Sequence, residues 1–269
     1  MVSNILFILL LFVGTLVLLT LQKPLFLLWY AELASEAEVA ELWGVVSHGI
    51  SLDATMAGYS CVIPILLTLL CLWLPSIWWL KLQRWWCIAA AVIVAVTFSV
   101  NLGLYEFWGF PLDGSVFQYL ATPKEAMASV TLSQFCIQSL VAVVYGALLI
   151  VMYNAILKIF KVQVAGRWGR KVVYTLLLLL IAGVDFLAIR GGTTTAVANV
   201  SKAYFSDKTI LNHAAVNPTF SLLSSISDGE ILTAITTTQL SSAQRKWQLL
   251  WRKTMLSRLK AFSLRAVRI

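Results

Sequence analysis

The sequence predicts an all-α membrane protein: five transmembrane helices with the N-terminus inside, then an external linker and a short basic tail. Three observations carry this prediction. Sixty per cent of the 269 residues are hydrophobic and 12% are charged, the composition of a chain whose main solvent is lipid. Long uncharged stretches alternate with short polar loops, each stretch long enough to cross about 30 Å of hydrocarbon at about 1.5 Å per residue. Lysine and arginine also gather in alternate loops, which sets orientation because basic loops stay on the cytoplasmic side.

Residues 1–22 carry no charged side chain. No basic n-region precedes them and no small-x-small cleavage site follows, so they predict a retained helix, not a cleaved signal peptide. The chain then turns acidic, with Glu32, Glu36, Glu38, Glu41 and Asp53 before residue 54. Its Ala/Glu-rich part predicts a short surface helix, and Asp53 reads as the N-cap of the second span. That span covers residues 54–80, with Pro64 placed to kink it by removing a backbone hydrogen bond.

Lys81 and Arg84 mark a short turn before the third span, residues 85–105. A loop with Glu106, Asp113, Lys124 and Glu125 leads to uncharged residues 126–157, where a fourth span begins at about Thr131. A basic loop with Lys158, Lys161, Arg167, Arg170 and Lys171 precedes the fifth span, which ends at Arg190. The two basic loops therefore face the cytoplasm, and everything after Arg190 lies outside. The domains expected are a five-helix unit over 1–189, a linker over 190–226 and a tail over 227–269.

The formal net charge of +8 describes only the tail. Residues 1–243 hold twelve basic and twelve acidic side chains, while the last 26 hold eight basic ones and no acid. Trp247, Trp251, Met255, Leu259 and Phe262 share one face of a helix drawn through this tail, although Arg258 and Arg265 interrupt it. The pattern suits a membrane surface, and an outside location argues against nucleic acid as a partner.

Few side chains carry chemistry. Asp185 is the one charged group expected inside a span, where charges are costly and often functional. It reads either as a partner of Arg190 or as a contact for a lipid head group or an outer domain. His48 has Ser47, Ser51 and Asp53 close by, but catalytic triads are assembled by folds and not by adjacency. Its alternatives are backbone hydrogen bonding and a lipid or domain contact.

His213 has no metal-ligand spacing around it and reads as a hydrogen-bonded structural residue. Cys61, Cys71, Cys87 and Cys136 lie in apolar runs, where thiols behave as small hydrophobes. Walker, GxSxG and GxGxxG patterns are missing, as are the matched broken helices of transporters.

Several segments nevertheless form a recognisable set. They are Arg190-Gly191-Gly192, Ala203-Tyr204-Phe205-Ser206 and Leu211-Asn212-His213-Ala214-Ala215-Val216-Asn217-Pro218-Thr219-Phe220-Ser221. This set resembles the linker of lipoteichoic-acid-synthase-like proteins of the sulfatase/alkaline phosphatase superfamily, in the version of Bacteroidetes-type bacteria. His48-Gly49-Ile50-Ser51-Leu52-Asp53, Ala57-Gly58-Tyr59 and Asp113-Gly114-Ser115-Val116-Phe117-Gln118-Tyr119 are similar to the membrane part of that family.

The resemblance covers residues 1–226 and implies five membrane helices, a linker and a large external catalytic domain. In such a domain a divalent metal, typically manganese, and a threonine nucleophile move phosphoglycerol from a phosphatidylglycerol-type lipid to an acceptor. After Ser225 this chain departs from the pattern, which reads as truncation or a frameshifted end. No residue matches the nucleophile or a metal ligand.

The expectation is therefore the membrane anchor and linker of a phosphoglycerol transferase/sulfatase-family enzyme in a bacterial cytoplasmic membrane. Its expected partners are membrane lipids and a sulfatase-like catalytic domain. His48, Asp53, Asp113, Asp185 and Arg190 are the candidate lipid or domain contacts, and no catalytic, cofactor-binding or metal-ligating residue is assigned. The alternative is a non-enzymatic five-helix membrane protein that binds an anionic lipid or a partner domain.

Overall fold

A computed structural model describes residues 2–117, 131–160, 168–194 and 196–227. The described residues are helical, and five of the helices are long and apolar enough to cross a membrane. These are α1 (Val2–Trp29), α2 (Val39–Trp73), α3 (Trp78–Trp108), α4 (Leu132–Leu157) and α5 (Trp168–Arg190). The expected tail lies outside the described residues.

Three boundaries differ from expectation. First, α1 runs through Lys23 and Pro24 to Trp29, because the apolar sequence resumes immediately beyond the lysine. Second, the acidic stretch forms no separate surface helix: residues 30–36 are turns, and only its end, from Val39, opens α2. Glu41 accepts from the Glu38 backbone N–H at 2.9 Å, and the helix then continues without a break. Asp53 is therefore mid-helix, not an N-cap. Third, the break between the second and third helices falls at residues 74–77, where Pro75 cannot continue a helix. Lys81 and Arg84 consequently belong to the first turns of α3.

Other signals hold. Thr131 caps α4, accepting from Gln134 N at 3.3 Å while Gln134 Oε1 accepts from Thr131 N at 3.0 Å, a reciprocal capping box. At Pro64 the missing N–H leaves the Ser60 carbonyl without its helical donor, and Trp86 Nε1 donates to that carbonyl at 2.8 Å. α5 ends on Gly191 and Gly192, with φ of +85° and +110°. A side chain would strain both positions, and the Gly192 N–H closes onto Leu187 O at 2.9 Å.

α2 is the central helix, packed on α1, α3 and α5, while α4 packs on α3 and α1. Much of α4 and α5 is left exposed, including Val143, Leu176 and Leu180, as suits helices whose outer faces meet lipid.

The segment after Arg190, called the outer segment because it lies outside the five long helices, folds back on the bundle. It contains a 3-10 turn (Val200–Ala203), α6 (Thr209–Ala215) and α7 (Pro218–Ser227). α6 packs on α2 and α1, and α7 on α3 and α2. Leu211, Ala215 and Phe220 are buried in the same apolar core as the long helices.

Candidate functional site

The densest polar cluster among the described residues lies where α1, α2 and the outer segment meet. α1 supplies Thr20 and Lys23, and α2 supplies Asp53. Lys23 Nζ lies 2.5 Å from Asp53 Oδ2, and both side chains are buried, at 2% and 0% exposure. Thr20 Oγ1 also donates to Asp53 Oδ2, at 3.1 Å.

Gly49, one turn before Asp53, makes the arrangement fit. A Cβ there would collide with Lys23 Cε and with the Ala215 carbonyl. The missing side chain therefore admits both the lysine and the outer segment.

Asn217 joins that outer segment to the pair. Pro218 opens α7, a position that favours proline, and Asn217 stands before it as the cap. Asn217 Oδ1 accepts from Thr219 N at 3.0 Å and from Phe220 N at 3.1 Å. Its Nδ2 donates to Asp53 Oδ1 at 2.8 Å. One side chain thus caps α7 and fastens it to the buried carboxylate.

Further contacts extend the junction. Thr97 and Thr219 hydroxyls meet at 2.6 Å, and His213 Nδ1 lies 3.0 Å from the Tyr105 hydroxyl. Burial pushes the His213 imidazole below the usual histidine range, because the charged form loses its hydration. Asn212 Oδ1 accepts from Phe205 N and Ser206 N at 2.8 and 2.9 Å. Nearer the surface, Lys208 Nζ lies 2.7 Å from Glu41 Oε2 and donates to Glu36 O at 2.6 Å.

A cavity of about 10 Å³ beside Gln22, Lys23 and His213 has room for about one water and no substrate. Gln22 Nε2 donates to the Tyr145 hydroxyl at 3.1 Å, while the buried Gln22 Oε1 has no partner among the described residues. No group of three His, Cys, Asp or Glu side chains among the described residues could hold a metal. The divalent metal implied by the resemblance therefore has no donor set among them. The arrangement is a lock between bundle and outer segment.

The candidate residues separate accordingly. Asp53 is the centre of the lock. His48 is exposed, bonded to Gly44 O at 2.9 Å and stacked on Phe205 at 4.6 Å between ring centroids, so it too meets the outer segment. Asp113 accepts from Ser115 N and Oγ at 2.9 and 2.5 Å, a local turn. Asp185 is buried against Gly58 of α2 and forms no ion pair with Arg190. Arg190 closes α5, its carbonyl accepting from Ala198 N at 2.8 Å.

Asp185 is also not the only charge within the candidate spans, because Lys23 and Asp53 both lie in them. Sequence reasoning missed Lys23 and Asn217. The apolar run over residues 25–29 beyond Lys23 and the cap sequence Asn217-Pro218-Thr219 were the available signals.

Compared with known proteins, the chain matches no family model, no curated protein and no solved structure.

Proposed function

We propose that the chain is the membrane anchor and linker of a phosphoglycerol transferase/sulfatase-type enzyme of a bacterial cytoplasmic membrane. In this reading α1–α5 span the bilayer with the N-terminus inside, and residues 190–227 lie against the outer face. The outer segment presents a sulfatase-like domain to phosphatidylglycerol-type lipid. Metal-dependent transfer is assigned to that domain, and none of its steps to the residues described here.

The single observation that most supports this reading is the Asn217–Asp53 bond. It sits inside the sequence set that resembles the family linker and ties that set rigidly to the bundle. A domain carried beyond α7 would then be held at a set height above the lipid, where orientation toward the substrate matters. The inside-out direction is supported by Lys81, Arg84, Lys158, Arg170 and Lys171, which stand at the start of α3, the end of α4 and the start of α5, since basic residues mark the cytoplasmic side.

Two measurements test the proposal. A reporter enzyme active only outside the cytoplasm, fused after Ser206, should be active, and one fused after Ser76 should be silent. The purified chain, given manganese and phosphatidylglycerol, should release no phosphoglycerol alone but should bind an added sulfatase-type transferase domain. Turnover by the chain alone, or no binding of that domain, contradicts the reading.

The second reading, a non-enzymatic binder of anionic lipid, draws on a different feature. Lys81 lies 4.4 Å above the Trp78 ring and Lys171 lies 5.7 Å from the Trp73 ring, placing ammonium groups beside interfacial indoles.

A further inference from the structure

An apolar groove of about 330 Å³ runs between α2, α3 and α7. Met56 and Tyr59 form one wall, Trp86, Ala90 and Ile93 the second, and Leu223 belongs to the third. It is separate from the polar lock, touching it only through the Thr97–Thr219 pair at its upper end.

Three observations define what it can hold. No charged residue lines it, and its wall is almost wholly hydrocarbon. Apart from the Tyr59 hydroxyl, the polar groups at its margins are already engaged: Trp86 Nε1 with Ser60 O, Ser60 Oγ with Met56 O, and Thr97 with Thr219. A polar ligand would find those groups taken and would lose its hydration without replacement.

The third observation is length. From Trp86 to Thr97 along α3 is eleven residues, about 16 Å at about 1.5 Å each, close to half of a hydrocarbon core of about 30 Å. The groove is also continuous with the exposed apolar face of α3, where Val92, Ile93 and Val96 stand.

We propose that this groove takes one acyl chain of a phospholipid in the outer leaflet, with α7 as its third wall. The inference rests on the reading that α1–α5 span the membrane. It adds a lipid site that the outer segment itself helps to build, so that lipid occupancy and docking of α7 support one another. Reciprocity is required, since two events that share a wall must influence each other equally.

The test uses the full chain in lipid nanodiscs containing phosphatidylglycerol with a photoactivatable group midway along one acyl chain. Labelled positions are mapped by peptide mass spectrometry. Tyr59, Ile93 and Leu223 should be labelled about fivefold more than Leu176 and Leu180 on the exposed face of α5, the ratio that about 1 kcal/mol of preference gives. Ala90→Phe, which fills the groove, should remove that excess. Val92→Phe adds the same ring to the neighbouring exposed face and should keep it. Thermal unfolding of both variants checks that each is folded.

Equal labelling of groove and α5, or an Ala90→Phe variant that labels like the wild type, would overturn the acyl-chain site while leaving the membrane reading intact. Groove labelling that is absent while α5 is labelled would also overturn it, and would point to residues beyond Ser227 or a second copy as the occupant. Absence of labelling on both faces would overturn the membrane reading and this proposal with it.

Discussion

Two ion pairs tie α2 to its surroundings near the outer segment, and they differ in almost every physical respect. Lys208–Glu41 is a clasp at the surface, with side chains 37% and 29% exposed. Lys23–Asp53 is fully enclosed. Water and salt weaken the first and side-chain entropy opposes it. The second is shielded, so its loss leaves a bare charge in a medium that cannot solvate it. The outer segment contacts both, but only at the buried pair does it contribute a hydrogen bond that also caps one of its own helices. Its docking is therefore governed by Asp53 and Asn217 and only trimmed by Lys208.

The largest expected effect is that of Asp53→Ala, which strands the Lys23 ammonium and should cost about 3–5 kcal/mol, read by thermal or denaturant unfolding in detergent. A paired Lys23→Met/Asp53→Leu variant sharpens the comparison. It should recover most of the bundle's stability yet leave the outer segment open to protease, because Asn217 Nδ2 still lacks its acceptor. Gly49→Ala comes next. Its methyl group must displace Lys23 or the Ala215 carbonyl, and overpacking of this kind costs about 1–3 kcal/mol.

A smaller effect follows from acid. Burial lowers His213 from the ordinary histidine value of 6.5, so the undocked segment binds a proton more readily than the docked one. Docking is then complete above about 6.5 and weakens as pH falls below it. The Tyr105 hydroxyl lies 3.0 Å from His213 Nδ1 and the Tyr204 ring stands beside the imidazole. Proteolysis of the outer segment between neutral and mildly acidic pH should show this, and His213→Gln should flatten the profile. Lys208→Ala, last in order, should leave unfolding unchanged and only increase local protease access near residue 208.

The five long helices are legible in the sequence because apolar runs of this length have few other uses in a protein. Their ends are less so. Lys23 reads as the start of a loop, since a lysine in an apolar run is costly unless paired, and its partner lies thirty residues further on. For the same reason Asp53 reads as a helix cap, and its buried role is not visible from its neighbours.

Asp185 stands out as an acid within a span, but its expected partner Arg190 lies about one turn further along α5 and does not pair with it. The outer segment reads as polar and unfinished because its burial depends on the bundle's upper surface. Only the fold brings Gly49, Ala215 and Asn217 together.

The central claim is that the Asn217–Asp53 bond holds the outer segment in place, and amide hydrogen exchange of Asn217→Ala in detergent or nanodiscs tests it most directly. Loss of the cap and the buried bond together is worth about 1–3 kcal/mol. Exchange across residues 209–220 should therefore rise by about tenfold or more, with residues 91–98 of α3 unchanged. Wild-type protection across 209–220 in that variant would contradict the account.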